Sequence, residues 1–264
     1  MLKVDKVTKI FNQGSVNEKI ALNKISFHLN KGEFVTIIGS NGAGKSTFLN
    51  AIAGNFFVDA GTITIGAKEV TKLPQHKRAS FISRVYQDPM LGTAGSMTIE
   101  ENLVMALKRG ERRRLRLAIN NKTRDFFRSQ LEKLGLGLEN RLTTKVSLLS
   151  GGQRQALTLL MATIKEPELL LLDEHTAALD PKTADTVLKL TCEVTKNSNL
   201  TTMMITHDLD QALNVGDRTI MMHEGTIILD LKGTQRKNTT VNSLLEMFEQ
   251  ASGTHFLNDR ALFS

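Results

Sequence analysis

The sequence predicts an α/β fold built on a parallel sheet. Three observations carry that expectation: short uninterrupted apolar runs, amphipathic helical stripes between them, and a glycine-rich turn joining one run to one stripe. Phe34-Val35-Thr36-Ile37-Ile38 is a β-rich run ending at Gly39. Leu169 to Leu172 is a second, ending at Asp173, and Thr202 to Thr206 a third, ending at His207. Such runs suit strands buried on both faces, as parallel strands are. Phe48, Leu49, Ile52 and Ala53 share one helical face, with Gly54 placed as a stop. Ala156, Leu157, Leu160, Met161 and Ile164 form another stripe behind Ser150, a natural N-cap. From Asp88 to Lys165 the chain is rich in helix formers and charges, and reads as a helical insert. The tail from Gly225 onward shows little sign of a further domain, and no motif repeats.

Composition bounds the function. The chain has 264 residues, 41% hydrophobic and 23% charged, enough for a large core. Collagen-like, disulfide-stapled and largely disordered classes are excluded, and the single Cys192 fits a reducing compartment. Lys3, Asp5, Lys6 and Lys9 break the N-terminal apolar pattern, so no secretory signal is expected. No run approaches the ~18–20 apolar residues of a membrane span, so the chain is not expected to cross a bilayer by itself. The net charge of +7 suits nucleic acid, anionic headgroups or nucleotide phosphates. Twelve Phe and one Tyr are few for single-strand stacking, and no nucleic-acid partner is expected. Lys108, Arg109, Arg112, Arg113, Arg114 and Arg116 crowd one segment against Glu111 alone. The plain reading is a solvated helix face; the sharper one is a surface for acidic headgroups or an acidic partner.

Three motifs carry chemistry. Gly39-Ser40-Asn41-Gly42-Ala43-Gly44-Lys45-Ser46 fits G-x-x-x-x-G-K-[ST], with a buried run before it and a helical stripe after it. Its glycines let backbone N–H groups turn inward around a phosphate, and the helix N-terminus adds positive potential. Lys45 is then placed for the β- and γ-phosphates, and the Ser46 hydroxyl for Mg²⁺. Next, an apolar strand ends in Asp173-Glu174, which delivers two carboxylates to the carboxyl edge of the sheet. Asp173 suits Mg²⁺, and Glu174 suits polarising a water for attack on a γ-phosphate. Third, Leu149-Ser150-Gly151-Gly152-Gln153-Arg154-Gln155 opens a helix with two glycines behind a capping serine, a second anion site. Two cradles in one chain make sense if two copies clasp each nucleotide.

With these motifs in this order, the sequence resembles an ABC-type ATPase, the nucleotide-binding subunit of ABC transporters, over essentially its whole length. The resemblance implies a P-loop NTPase (RecA-like) core with a mainly parallel sheet, an antiparallel N-terminal β region and an inserted helical subdomain. Residues 1–264 are then one ATPase domain, with a core at 1–88 and 166–264 and a helical subdomain at 89–165. It further implies that ATP is bound by the Walker A residues Gly39, Ser40, Asn41, Gly42, Ala43, Gly44, Lys45, Ser46 and Thr47. The signature residues Ser150, Gly151, Gly152 and Gln153 and the D-loop Asp180 join them across a dimer. Gln87 resembles the Q-loop glutamine, which reads Mg²⁺ with Ser46 and Asp173 and couples to membrane subunits. His207 resembles the switch histidine, and Phe11 lies where an aromatic stacks on adenine. Singly, Gln87 fits a surface glutamine, His207 a helix-cap neighbour and Phe11 a core residue. Glu174, His207, Lys45 and Gln87 are thus the catalytic candidates.

The sequence departs from the family at two places. His175 stands where a Pro usually follows the catalytic Glu, and Ala177 or Ala178 replaces a D-loop Ser. His175 is able to titrate near neutral pH beside Glu174, but is read as a tolerated change because both carboxylates are intact. The segment Gly92 to Asn102, with the basic cluster after it, resembles ATPases of bacterial importers for aromatic amino acids such as tryptophan or tyrosine. That resemblance implies a homodimer at the cytoplasmic face of the cell membrane, with separate permease subunits and a substrate-binding lipoprotein. The alternatives are an exporter ATPase or a non-transport ABC ATPase of the iron–sulfur assembly or cell-division type. A P-loop kinase or GTPase leaves the Leu149 to Gln153 run and His207 unexplained. Spacing between the first two glycine motifs is too short for the long coiled coil of chromosome-maintenance types.

Overall fold

A computed structural model of the chain describes residues 1–111 and 118–252. Residues 1–78 supply strands β1 (Leu2–Phe11), β2 (Lys19–Leu29), β3 (Phe34–Ile38), β4 (Ala60–Ile65) and β5 (Lys68–Glu69). Helices α1 (Lys45–Ala53) and α2 (Gln75–Arg78) belong to the same stretch. Residues 79–198 supply β6 (Ile82–Val85), helices α3 (Ile99–Leu107), α4 (Asn121–Glu132) and α5 (Gly151–Thr163), then β7 (Leu169–Asp173) and α6 (Pro181–Asn197). From residue 199 follow β8 (Thr201–Ile205), α7 (Leu209–Asn214), β9 (Arg218–His223), β10 (Thr226–Lys232), α8 (Gly233–Asn238) and α9 (Val241–Ser252). Two compact units result: one combines 1–78 with the segment from 199, and the other is 79–198.

In the first unit β1 pairs antiparallel with both β2 and β4, which gives the expected antiparallel N-terminal sheet. Beside it runs the parallel set: β3 pairs with β8 on one side and β9 on the other. All five residues of β3 and all five of β8 are buried, as their unbroken apolar pattern requires. The tail is part of this core. Leu244 and Phe248 of α9 pack with Ile38, Leu209, Ala212, Met221 and Leu231.

Helix α1 is closed at both ends by backbone geometry. Gly54 takes the left-handed conformation at its C-cap and returns its N–H to Asn50 O. Buried Arg78 then reaches the helix's last carbonyls, donating to Ala51 O at 2.8 Å and Ile52 O at 2.7 Å, and to Leu73 O at 2.7 Å. This cation meets the negative end of the helix dipole, and burial still pulls its pKa down to about 10.

In the second unit β6 and β7 pair parallel, with Val85 opposite Leu172. Thr98 and Glu101 form a capping box at the start of α3. Buried Asn102 pins the loop before it, accepting from Ala94 N and donating to the carbonyls of Ala94 and Thr98.

Candidate active site

The glycine loop leaves the buried end of β3 and runs into α1. Gly39, Gly42 and Gly44 have φ of 147°, 83° and 99°. At Gly44 the glycine is a requirement: the residue is left-handed, and a Cβ would lie 2.6 Å from Ala21 O. The loop is stapled by its backbone, with Ala43 N to Ser40 O at 3.1 Å and Gly225 N to Ala43 O at 3.0 Å. Gly225, in the β9–β10 turn, in turn accepts from Asn23 N of β2 at 2.8 Å. Lys45 is buried, its ammonium donating to Gly39 O at 2.6 Å and Ser40 O at 3.1 Å. Those carbonyls fold the cation back across the loop it serves. Asn41, Gly42 and Ser46 are exposed at the mouth. His207 follows β8, whose parallel pairing with β3 sets Ile205 beside Ile37. Gly39 and His207 therefore emerge from the same ends of adjacent strands. The cap role belongs to the next residue, Asp208, whose carboxylate accepts from Gln211 N. Phe11, at the end of β1, is 36% exposed and meets Phe56 edge-on at 5.5 Å. It is a surface ring, not a core residue.

In the other unit, β6 and β7 deliver Gln87 and Asp173-Glu174 from the same ends of adjacent strands. Gln87 is exposed. Glu174 has φ +47°, a left-handed conformation costing an ordinary side chain about 1–2 kcal/mol. Directly after it His175 is buried, with Nε2 3.0 Å from Thr191 Oγ1 of α6. Burial pushes the imidazole down to about 4. His175 is thus a neutral core residue, in keeping with the reading of a tolerated change and not with a group titrating near neutral pH beside Glu174. Asp173 is engaged by a residue that sequence reading passed over, Arg84 of β6, whose Nη2 lies 2.5 Å from Asp173 Oδ2. The Arg84 guanidinium also stacks over the Tyr86 ring at 4.7 Å. A basic side chain in a buried strand, two residues from Tyr86 and so on its face, was the available signal.

The signature turn is built as the sequence suggested, with Ser150 capping α5 in a reciprocal box with Gln153. Gly152 is buried, and a Cβ on it would lie 2.0 Å from Thr183 Cγ2 of α6, so this glycine lets two helices approach. The next two residues reach back toward β6. Arg154 Nε donates to Thr93 Oγ1 at 2.7 Å, and Gln155 Nε2 to Tyr86 O at 3.3 Å. Asp180 caps α6 by accepting from Thr183 N at 3.1 Å, and its side-chain and backbone bonds with Thr183 hold its carboxyl below the usual range.

The basic segment is not one solvated face. Arg109 is drawn inward, donating to Ser83 Oγ at 2.6 Å, and burial lowers its pKa. Lys108 and Lys165 both bind Glu111. Arg112, Arg113, Arg114 and Arg116 lie outside the described residues. Of the residues expected for Mg²⁺, Ser46 in the first unit offers a hydroxyl oxygen, and Gln87 and Asp173 in the second offer amide and carboxylate oxygens. Each is a hard donor of the kind taken by an ion that binds one or two carboxylates and fills its shell with water and phosphate oxygens.

Comparison with known proteins agrees with this geometry. The family model for ABC transporters matches residues 22–177. A tyrosine transport ATP-binding protein of Clostridioides difficile is 45% identical over 95% of this chain and 100% of its own length. The spermidine/putrescine import ATP-binding protein PotA of Bacteroides fragilis is 34% identical over 86% of this chain, which spans 46% of that protein. The dimeric post-hydrolysis structure of the ATP-binding cassette MJ0796, bound to ADP and Pi, superimposes with a TM-score of 0.73. It is 26% identical, covering 88% of this chain and 98% of that one. The parallel strands, the antiparallel N-terminal sheet and the phosphate loop are those of an ABC ATPase cassette, and this chain belongs to the ABC transporter family as an ATP-binding subunit and ATPase.

Proposed function

We propose that the chain energises uptake of an aromatic amino acid, tyrosine or tryptophan, through separate permease subunits at the cytoplasmic face of a bacterial membrane. The observation that carries the solute class is the relative named for tyrosine transport, which this chain matches along that protein's entire length. A lipoprotein outside the membrane delivers the solute. No described helix is long and apolar enough to cross a membrane, and in this reading the permease is a separate chain. It docks where Met90 and Leu91, 63% and 70% exposed, follow the Gln87 turn, since apolar side chains left in water there fit a partner surface.

The reaction is ATP + H₂O to ADP + phosphate, at an interface between two copies. Lys45 and the loop from Gly39 to Thr47 hold the β- and γ-phosphates, and Phe11 stacks on adenine. Bound Mg²⁺, held by Ser46, Gln87 and Asp173, supplies charge neutralisation at the phosphate oxygens. Glu174 orients the attacking water and accepts its proton. His207 steadies the γ-phosphate from the same chain. Ser150, Gly151, Gly152 and Gln153 of the second copy close over it, with Asp180 at the crossing. The left-handed backbone at Glu174 fits a side chain aimed by its fold, not by local preference.

Glu174→Gln tests the mechanism: ATP binding persists while turnover falls by ~10²- to 10⁴-fold, the usual contribution of a general base. Hydrolysis near the wild-type rate removes Glu174 from that role. The solute is tested in vesicles holding the permease encoded beside this gene, where tyrosine or tryptophan uptake must require ATP and stop with Glu174→Gln.

A further inference from the structure

We propose that Lys19 is a second cation of the nucleotide site, contacting the polyphosphate chain of a bound nucleoside di- or triphosphate. The inference rests on the phosphate-loop reading above and adds a residue that none of its motifs contains. Among the described residues, and beyond its chain neighbours, the heavy atom within 4 Å of where a side chain on Gly42 would begin is Lys19 Nζ, at 3.7 Å. The ammonium therefore stands over the middle of the loop, on the side where Asn41 and Gly42 are exposed.

Its place on the sheet explains how it gets there. Lys19 opens β2 directly opposite Phe11, the last residue of β1. Side chains directly opposed on antiparallel strands project from one face, so the exposed ring and the exposed ammonium stand side by side. A nucleotide needs both an apolar surface for its base and cations for its phosphates. The β1–β2 pair presents both next to the glycine loop. Local acids do not claim the charge. Glu18 accepts from Gly14 N at 2.7 Å, and Asp59 is taken by Lys9 at 2.9 Å. Among the described residues no carboxylate forms an ion pair with Lys19. Lys45 is folded against the carbonyls of Gly39 and Ser40 at the loop's start, so the two cations approach the phosphates from different sides.

The experiment is equilibrium binding of ADP, ATP and adenosine to the full chain, as wild type, Lys19→Ala, Lys19→Arg and Lys45→Ala. A charge-assisted contact of this exposure predicts about tenfold weaker ADP and ATP binding by Lys19→Ala, with adenosine unchanged and the loss shrinking as salt rises. Lys19→Arg keeps most of the affinity. If Lys19→Ala binds ADP as tightly as wild type while Lys45→Ala does not, Lys19 is a bystander and the phosphate-loop reading stands. If Lys45→Ala also binds normally, the loop reading falls and takes this inference with it. A loss shared equally by adenosine assigns Lys19 to the base or the fold and overturns the phosphate contact.

Discussion

The phosphate loop of one unit and the carboxylate turn of the other are each fastened internally, by different kinds of bond. The phosphate loop is tied mainly by main chain, Ala43 to Ser40, Gly225 to Ala43 and Asn23 to Gly225, with the Lys45 ammonium on the carbonyls of Gly39 and Ser40 and a glycine where a Cβ would strike Ala21 O. The carboxylate turn adds side-chain ties to its main-chain bond from Ala177 N to Glu174 O: Arg84 on Asp173, His175 on Thr191, and Gln155 on the carbonyl before Gln87. A loop tied mainly by its backbone depends on which residues lack side chains and, Lys45 apart, little on which polar ones it carries. A side-chain-tied turn depends on residues outside any motif, and its position shifts when one of them changes. Both deliver their groups from the ends of parallel strands, so the difference lies in the fastening and not in the scaffold.

That contrast is open to direct test, beginning where the largest effect is expected. Arg84→Met leaves Asp173 without its partly buried counter-charge and is expected to cost up to about 3 kcal/mol in denaturant unfolding; a loss below about 1 kcal/mol would show the pair is not a fastening. His175 comes next, through pH. Its folded pKa of about 4 lies below the ordinary 6.5, so its neutral form stabilises the fold above pH 6.5. That contribution drains away as pH falls from 6.5 toward 4, about 2 kcal/mol being gone at pH 5. His175→Asn should lack this part of the acid sensitivity, and equal slopes in both proteins would refute it. Gly152→Ala forces a methyl onto Thr183; because threonine can rotate, the cost is about 1 kcal/mol, recovered in Gly152→Ala with Thr183→Ala. Thermal unfolding of the single and double variants reads it. Smallest is Asn41→Ala on the exposed phosphate loop, expected to move stability by less than about 0.5 kcal/mol. A larger shift would mean that this loop, too, leans on its side chains.

The same division decides what could be read in advance. The sequence announced α1, α5, β3, β7 and β8, because uniform apolar runs and 3.6-residue stripes are local patterns, and Ser150 and Gly54 mark their ends. It announced the glycine loop because a chain turning around an anion must leave out Cβ atoms at set spacings, and that omission is written in the residues. Arg84, by contrast, sits 89 residues from Asp173; its place in a buried strand marks it as needing a partner, but does not say which. His175 reads as a tolerated change, and only the packing of α6 over it shows that it is a buried, neutral core residue. Arg109 looked solvated until β6 placed Ser83 under it.

What the sequence determined alone is the strongly patterned elements, β3, β7, β8, α1 and α5, and the identity of the groups at their ends, since strand pattern, helix period, caps and glycine spacing are all short-range. The tertiary fold alone decided which charges are buried and which stay in water. That outcome depends on strands and helices far apart in the chain meeting, and so on the solvent each group loses when they do.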